Sequence, residues 1–183
     1  MATIELVKQI EVLIQEAEAG DPQSQCALGF AYASGRGIAK DAERARHWYL
    51  LAARAGHSGA QYNLADIYLR GDGGGEVQKP DFNQAIYWFE QAASAGDPDA
   101  LYNLGLIYQG RLDRGKSVVA DSEKAFRYFL EAAESGLARA QFETAVMYME
   151  GLGVQQSADN ARLWLERAAF NGVARAQELL EEI

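Results

Sequence analysis

The chain of 183 residues is 49% hydrophobic and 23% charged, which is typical of a folded soluble protein long enough to build a substantial core. Its net charge of −9 opposes binding to nucleic acid or anionic lipid, and no apolar run is long enough to cross a membrane. The single cysteine, Cys26, excludes an internal disulfide and a cysteine-cluster metal site, and with an N-terminus unlike a signal peptide it predicts a cytoplasmic location.

The first predicted element is a lone helix over residues 4–19, and five glycines then divide the chain into similar lengths. They stand 36, 40, 40 and 36 residues apart, at Gly20, Gly56, Gly96, Gly136 and Gly172. Such self-similarity predicts stacked helical repeats. We expect a single repeat domain over 1–183, made of these parts: a capping helix at 1–20, full repeats at 21–56, 57–96, 97–136 and 137–172, and a half-repeat at 173–183.

Each full repeat opens with a helix, here called helix A. Counted from the marker glycine before it, the small and apolar residues of this helix follow at intervals of four, four, one and three. These intervals place them on one helical face. The last position of the series is always a tyrosine: Tyr32, Tyr68, Tyr108 and Tyr148. Gly29 and Gly105 occupy a position where the other repeats have alanine. Because glycine inside a helix costs about 0.5–1 kcal/mol relative to alanine, we expect another helix to pack very closely there.

A second helix, here called helix B, completes each repeat. It starts after residues whose side chains suit an N-cap: Asp41, Asp81, Asp121 and Ser157. Seven positions later comes a large aromatic residue: Trp48, Trp88, Tyr128 and Trp164. The next marker glycine suits the left-handed position that ends a helix. No strand pattern occurs, so the sequence predicts an all-α fold.

The segments "AQYNLADIY" (60–68), "ALYNLGLIY" (100–108) and "GLGVQQSADNARLWLERAAFNG" (151–172) resemble Sel-one-like repeats, a branch of the tetratricopeptide-repeat superfamily. The resemblance covers essentially the whole chain. It implies a right-handed superhelical α-solenoid of antiparallel helix pairs, with the A helices on the concave face. It also implies a non-catalytic bacterial adaptor that holds protein complexes together. Some secreted members carry a cysteine pair in every repeat, and a chain with one cysteine does not fit that subgroup.

The segment "GRLDRGKS" (110–117) matches the phosphate-binding pattern G-x-x-x-x-G-K-[ST], in which backbone N–H groups, a lysine and a hydroxyl hold a nucleotide and its magnesium ion. That mechanism needs a strand before the loop and a helix directly after it. Here a helix A precedes the loop, and the next helix is predicted to start only near Asp121. The pattern therefore favours a surface loop, whose Arg111, Arg114 and Lys116 form a basic tip that could contact an acidic partner.

Other chemistry is poorly supported. The segment "GDGGGE" (71–76) lacks the ligand spacing of a calcium loop and is better explained as a flexible insertion. The two histidines, His47 and His57, are not clustered with other ligands, and Cys26 suits a packed side chain. We therefore expect no catalytic residue, no cofactor and no metal.

Partner binding is expected on the concave face formed by the A helices. By analogy with tetratricopeptide domains, Asn63 and Asn103 are candidates to grip the backbone of an extended peptide, and Arg139 would add a positive charge near Asn103. Glu143 replaces asparagine in the fourth repeat, so a full carboxylate clamp is not expected. The further candidates on this face are Tyr62, Tyr102, Phe30, Asp66, Leu69, Arg70, Leu106, Gln109, Phe142 and Met149. For Tyr62 and Tyr102, packing between helices is favoured over binding.

These observations predict a protein–protein interaction scaffold that binds another protein or a peptide, with no nucleic acid and no membrane partner. Two alternatives stay open. One is an enzyme, either a nucleotide hydrolase that uses Lys116 and Ser117 or another hydrolase. The other is a docking module whose half-repeats join a larger repeat assembly.

Overall fold

The computed structural model describes residues 2–112 and 117–182, and the side chains from residue 8 onward within those ranges. The described residues form ten α-helices: α1 (Ala2–Glu18), α2 (Pro22–Ser34), α3 (Ala42–Arg54), α4 (Ser58–Arg70), α5 (Phe82–Ser94), α6 (Pro98–Tyr108), α7 (Ser122–Glu134), α8 (Ala138–Glu150), α9 (Ala158–Phe170) and α10 (Ala174–Glu182). Over the same residues, extended pairing is limited to one isolated bridge between Gly74 and Val77. The all-α prediction is confirmed. None of the helices described is both long and apolar enough to span a membrane.

The helices begin and end where the predicted caps stand. The four predicted N-cap side chains each accept a hydrogen bond from the backbone N–H three residues later: Asp41, Asp81, Asp121 and Ser157. All five marker glycines have positive φ angles, between 87° and 96°. Since L side chains rarely adopt that conformation, the regular glycine spacing is a direct consequence of the repeated helix ends.

Successive helices pack as pairs, α2 with α3, α4 with α5, α6 with α7 and α8 with α9. In each pair the first member is the predicted helix A and the second is helix B. The lone helices α1 and α10 pack against α2 and α9. The chain forms two compact units, the first ending at Asp97 and the second starting at Pro98.

The close approach predicted at Gly29 and Gly105 is confirmed, and an aromatic ring of helix B occupies the space. A Cβ atom at position 29 would lie 2.8 Å from Cδ1 of Tyr49, and one at position 105 would lie 2.6 Å from Cε1 of Phe129. These rings belong to the residues that directly follow Trp48 and Tyr128. The two glycines are therefore needed to admit a ring between helix A and helix B of the same repeat.

Buried glutamines join three of the A helices, α2, α4 and α8, to the helix before each of them. Nε2 of Gln25 donates to the carbonyl of Ala17 at 3.1 Å, and Nε2 of Gln61 donates to the carbonyl of Ala53 at 3.2 Å. The same bond recurs in the second unit, where Gln141 donates to Ala133 at 3.3 Å. The third repeat has Leu101 at this position.

The glycine-rich insertion after α4 lies against α3 instead of standing free in solvent. Gly73 is buried, and its carbonyl accepts a hydrogen bond from Nε of Arg46 at 3.3 Å. A Cβ atom on Gly74 would lie 3.0 Å from the backbone nitrogen of Glu43. The glycines of this insertion therefore allow it to approach the start of helix α3 closely.

Candidate functional site

The first unit contains a groove of about 470 Å³ between α2, the start of α3 and α4. Four residues predicted to bind a partner line it: Phe30, Asn63, Asp66 and Arg70. Phe30 comes from α2 and the other three from α4, so two neighbouring A helices supply the groove's candidate contacts. Phe30 is 53% exposed, so part of its ring is open to contact by another molecule.

Asn63 is the groove residue best suited to hold a polypeptide backbone. It is half-buried, and its carboxamide makes no hydrogen bond to any residue that the structure describes. A carboxamide offers two N–H donors and one carbonyl acceptor. It can therefore pair with both the C=O and the N–H of an extended peptide that enters the groove.

Two of the charged groups that line the groove form an ion pair with each other. Nε of Arg70 lies 3.0 Å from Oδ1 of Asp66. Burial raises the pKa of the Asp66 carboxyl, and the positive charge of Arg70 opposes that shift. Burial also raises the pKa of the Tyr49 phenol, with smaller contributions from Cys26 and Asp66, so this groove-lining hydroxyl stays neutral.

Tyr62 and Leu69, also on α4, are half-buried. The Tyr62 ring packs edge-on against Phe89 of α5, with ring centroids 5.6 Å apart. This contact supports the packing role favoured for Tyr62.

In the second unit the matching residues make internal contacts. Nδ2 of Asn103 donates to the backbone carbonyl of Asp99 at 2.9 Å. The Arg139 guanidinium forms an ion pair with the carboxylate of Asp99 and lies 4.2 Å from the centroid of the Tyr102 ring. Arg139 and Asn103 were predicted to lie near each other, and both contact Asp99, Arg139 through the carboxylate and Asn103 through the backbone carbonyl. The Tyr102 ring also packs against Phe129, at 5.5 Å between centroids.

The ion pair between Arg111 and Glu143 was not predicted. Nη1 of Arg111 lies 2.6 Å from Oε1 of Glu143, whose side chain is only 11% exposed. Arg111 follows α6, within the segment expected to form a basic tip, and its guanidinium pairs with an acidic residue of α8. The signal available in the sequence was Glu143 itself, because a buried acid in the asparagine column requires a cation nearby.

The remaining candidates of the second unit are half-buried. Leu106 packs against a core cluster around Phe126 and Phe129. Oε1 of Gln109 accepts a hydrogen bond from Nη1 of Arg111 at 3.4 Å. Phe142 and Met149, both on α8, expose part of their side chains.

The other chemical readings of the sequence gain no support. A helix, α6, precedes the "GRLDRGKS" segment, and α7 starts at Ser122. Arg114 and Lys116 lie outside the described residues. His57 caps α4, since its Nδ1 accepts the N–H of Ala60 at 3.2 Å. Burial raises the pKa of the Cys26 thiol, which keeps it protonated. Within the part of the chain that the structure describes, no three His, Cys, Asp or Glu side chains could hold a metal ion.

The sequentially paired helices and the repeated packing columns define an α-helical repeat protein of the tetratricopeptide-like class. The model of the Sel1 repeat matches residues 22–57, 58–97, 98–137 and 138–172. The chain belongs to the Sel1 repeat family.

Solved structures agree with this assignment. The crystal structure of a Sel1 repeat protein from Oxalobacter formigenes has a TM-score of 0.82 and 34% sequence identity, over 96% of this chain and 49% of that one. A protective antigen present in uropathogenic Escherichia coli strains, which displays an SLR fold, has a TM-score of 0.82 and 35% identity, over 91% of this chain and 34% of that one. The chain thus spans about half and about a third of these two structures. Helicobacter pylori cysteine rich protein B, at 20% identity and a TM-score of 0.57, shares the fold. No curated protein is significantly similar to the chain.

Proposed function

We propose that this protein is a non-catalytic bacterial adaptor that binds a peptide or protein segment on the A helices of its first unit. The observation that carries the proposal is the groove in which an exposed Phe30 lies beside Asn63, whose carboxamide has no hydrogen bond within the described residues. Exposed aromatic residues beside unused backbone-pairing groups are typical anchors of extended peptides. The family supports the proposal, because Sel1 repeats typically mediate protein interactions.

The cellular location stays a prediction. A cytoplasmic adaptor is consistent with one half-buried, protonated cysteine in the first unit. Measuring the protein in fractionated cells of its native host tests this directly.

The test of the binding function is an affinity capture from native cell extract, read by mass spectrometry. The wild-type chain is compared with a Phe30→Ala/Asn63→Ala variant whose helical content is checked by circular dichroism. A matched control is Tyr87→Ala/Asn83→Ala, which removes an exposed aromatic ring and an exposed amide from α5 of the same unit.

We expect a partner that the wild type and the control capture and that the groove variant loses. A partner that all three proteins capture equally would move the binding surface away from this groove.

A further inference from the structure

The second depression beside Phe30 is more apolar than the groove described above. It lies between α1 and α2, has a volume of about 270 Å³, and is lined by Gln9, Ile10, Leu13, Ala27, Phe30 and Ala31, with Arg36 beyond them. Among the lining residues whose side chains the structure describes, Arg36 is the one that carries a charge. Phe30 therefore separates an apolar depression from the polar groove that contains Asn63.

Two cations border these depressions on either side of Phe30. Arg36 lines the apolar depression and Lys40 lines the polar groove, whose lining also includes Asp72, and both cations are exposed. Neither forms an ion pair with any residue for which side chains are described. In contrast, the nearby Arg44 and Arg70 are paired with Asp41 and Asp66.

The charge of the first repeat, which supplies Phe30, Arg36 and Lys40, opposes that of the whole molecule. Residues 21–56 contain five Arg or Lys and three Asp or Glu, a balance of +2, whereas the chain carries −9. A negatively charged partner would be repelled by most of the surface and attracted to this repeat. Such complementarity governs the rate and the specificity of association.

From this charge and apolar lining we propose that the partner segment is an extended peptide in which an apolar side chain is flanked by acidic residues. The apolar side chain enters the depression between α1 and α2 and contacts Phe30. The acidic side chains pair with Arg36 and Lys40, while Asn63 holds the peptide backbone. This inference rests on the proposed function and specifies the chemistry of its partner.

The experiment selects peptides from a random display library on the intact wild-type chain and measures each synthesised peptide by calorimetry. The charge variant is Arg36→Glu/Lys40→Glu. Its matched control is Arg54→Glu/Lys79→Glu, which makes the same charge change at an exposed arginine and an exposed lysine of the same unit. A third protein, Phe30→Ala, reports whether a peptide uses this surface.

We expect the selected peptides to contain an apolar residue next to Asp or Glu. Their affinity should fall about tenfold in the charge variant, since two exposed charge pairs are lost, and should change less than about twofold in the control. Peptides with every Asp and Glu replaced by Lys should bind the charge variant better than the wild type. That exchange would not follow from a structural effect of the substitutions.

The outcomes separate the two proposals. Peptides that need Phe30 and Asn63 but contain no acidic preference would overturn this inference and leave the proposed function standing. Selected peptides that bind Phe30→Ala as well as the wild type would overturn both, as would a library that yields no binder. Concentration-dependent self-association that Phe30→Ala abolishes would assign the surface to a second copy of the chain and overturn the inference.

Discussion

The two units of the molecule share one packing scheme and differ in what their A helices do with polar side chains. In the first unit, Phe30 and Asn63 line a groove. Phe30 is exposed there, and the Asn63 carboxamide has no hydrogen bond among the described residues. In the second unit, Asn103 donates to Asp99, and Arg111 pairs with Glu143. The same position of the repeat thus lies either in a groove that is open to a partner or among polar groups that are paired within the protein.

The difference follows from a few substitutions between repeats. Glu143 stands where the second and third repeats have Asn63 and Asn103, and a buried carboxylate is costly unless a cation or hydrogen-bond donor meets it. Arg111, in the longer connection after α6, supplies that cation. A repeat can therefore change from an open to an internally paired surface without any change in its helix packing.

The shared packing scheme can be tested by removing one ring from each unit. Phe89 and Phe129 are fully buried and occupy corresponding positions of helix B. We expect Phe89→Ala and Phe129→Ala each to cost about 3–5 kcal/mol of unfolding free energy, because both leave a large cavity. Denaturant unfolding of the two variants measures this. A cost in one unit much smaller than in the other would show that their cores are not equivalent.

The internal pairing of the second unit can be broken at Arg111. Removing this cation in Arg111→Met leaves the buried Glu143 carboxylate without its partner, and we expect a loss of about 1–2 kcal/mol. The variant Arg111→Met/Glu143→Gln should be more stable than Arg111→Met alone, since it removes the unpaired charge. Thermal unfolding of both, with the exposed Arg127→Met as control, completes the comparison. Additive effects of the two substitutions would contradict the coupling.

The functional side of the comparison rests on the two asparagines. Once a partner has been captured, Asn63→Ala should weaken its binding about tenfold, the equivalent of one or two hydrogen bonds. Asn103→Ala should leave affinity unchanged, because the Asn103 amide already donates within the protein. Calorimetry with the captured partner measures both variants. Equal losses would mean that the two units bind in the same way.

Much of the fold could be predicted because the same cap, glycine and packing residues recur in the four repeats. The N-cap residues, the left-handed glycines and the close approach at Gly29 and Gly105 each follow from a local rule that a single side chain expresses. The ring that fills the space at Gly29 was missed, since Tyr49 stands beside the more conspicuous Trp48. Which of two adjacent aromatic residues faces the core depends on the rotation of helix B.

The site could be predicted only as a set of candidates. The period of helix A places Asn63 and Asn103 at the same position, but it does not show that Asn103 bonds a carbonyl of its own helix. The ion pair between Arg111 and Glu143 depends on tertiary contacts. The sequence showed that Arg139 begins the next helix A, whereas its attraction to Asp99 across 40 positions of the chain is a property of the packed repeats. Phe30 is exposed, whereas Leu106 packs against the core. This difference also depends on how the helices assemble, so the sequence alone does not give it.

A smaller difference between the units lies in the buried glutamines. Oε1 of Gln141 accepts a hydrogen bond from Nδ2 of Asn171 at 2.9 Å. Oε1 of Gln61 is buried and has no partner among the described residues. The residue of the second repeat that corresponds to Asn171 is Ala95, which is exposed and has nearly the same backbone angles.

Ala95→Asn should therefore give Oε1 of Gln61 the hydrogen bond that Oε1 of Gln141 receives from Asn171. We expect a gain of about 0.5–1.5 kcal/mol in unfolding free energy. Asn171→Ala should lose a similar amount. Ser135→Asn provides the control, because the third repeat has Leu101 in place of the glutamine and leucine has no side-chain oxygen to accept the bond. Denaturant titration of the three variants measures these shifts. If Ala95→Asn and Ser135→Asn change stability equally, the gain comes from helix-end propensity, and the unpaired oxygen of Gln61 does not distinguish the two units.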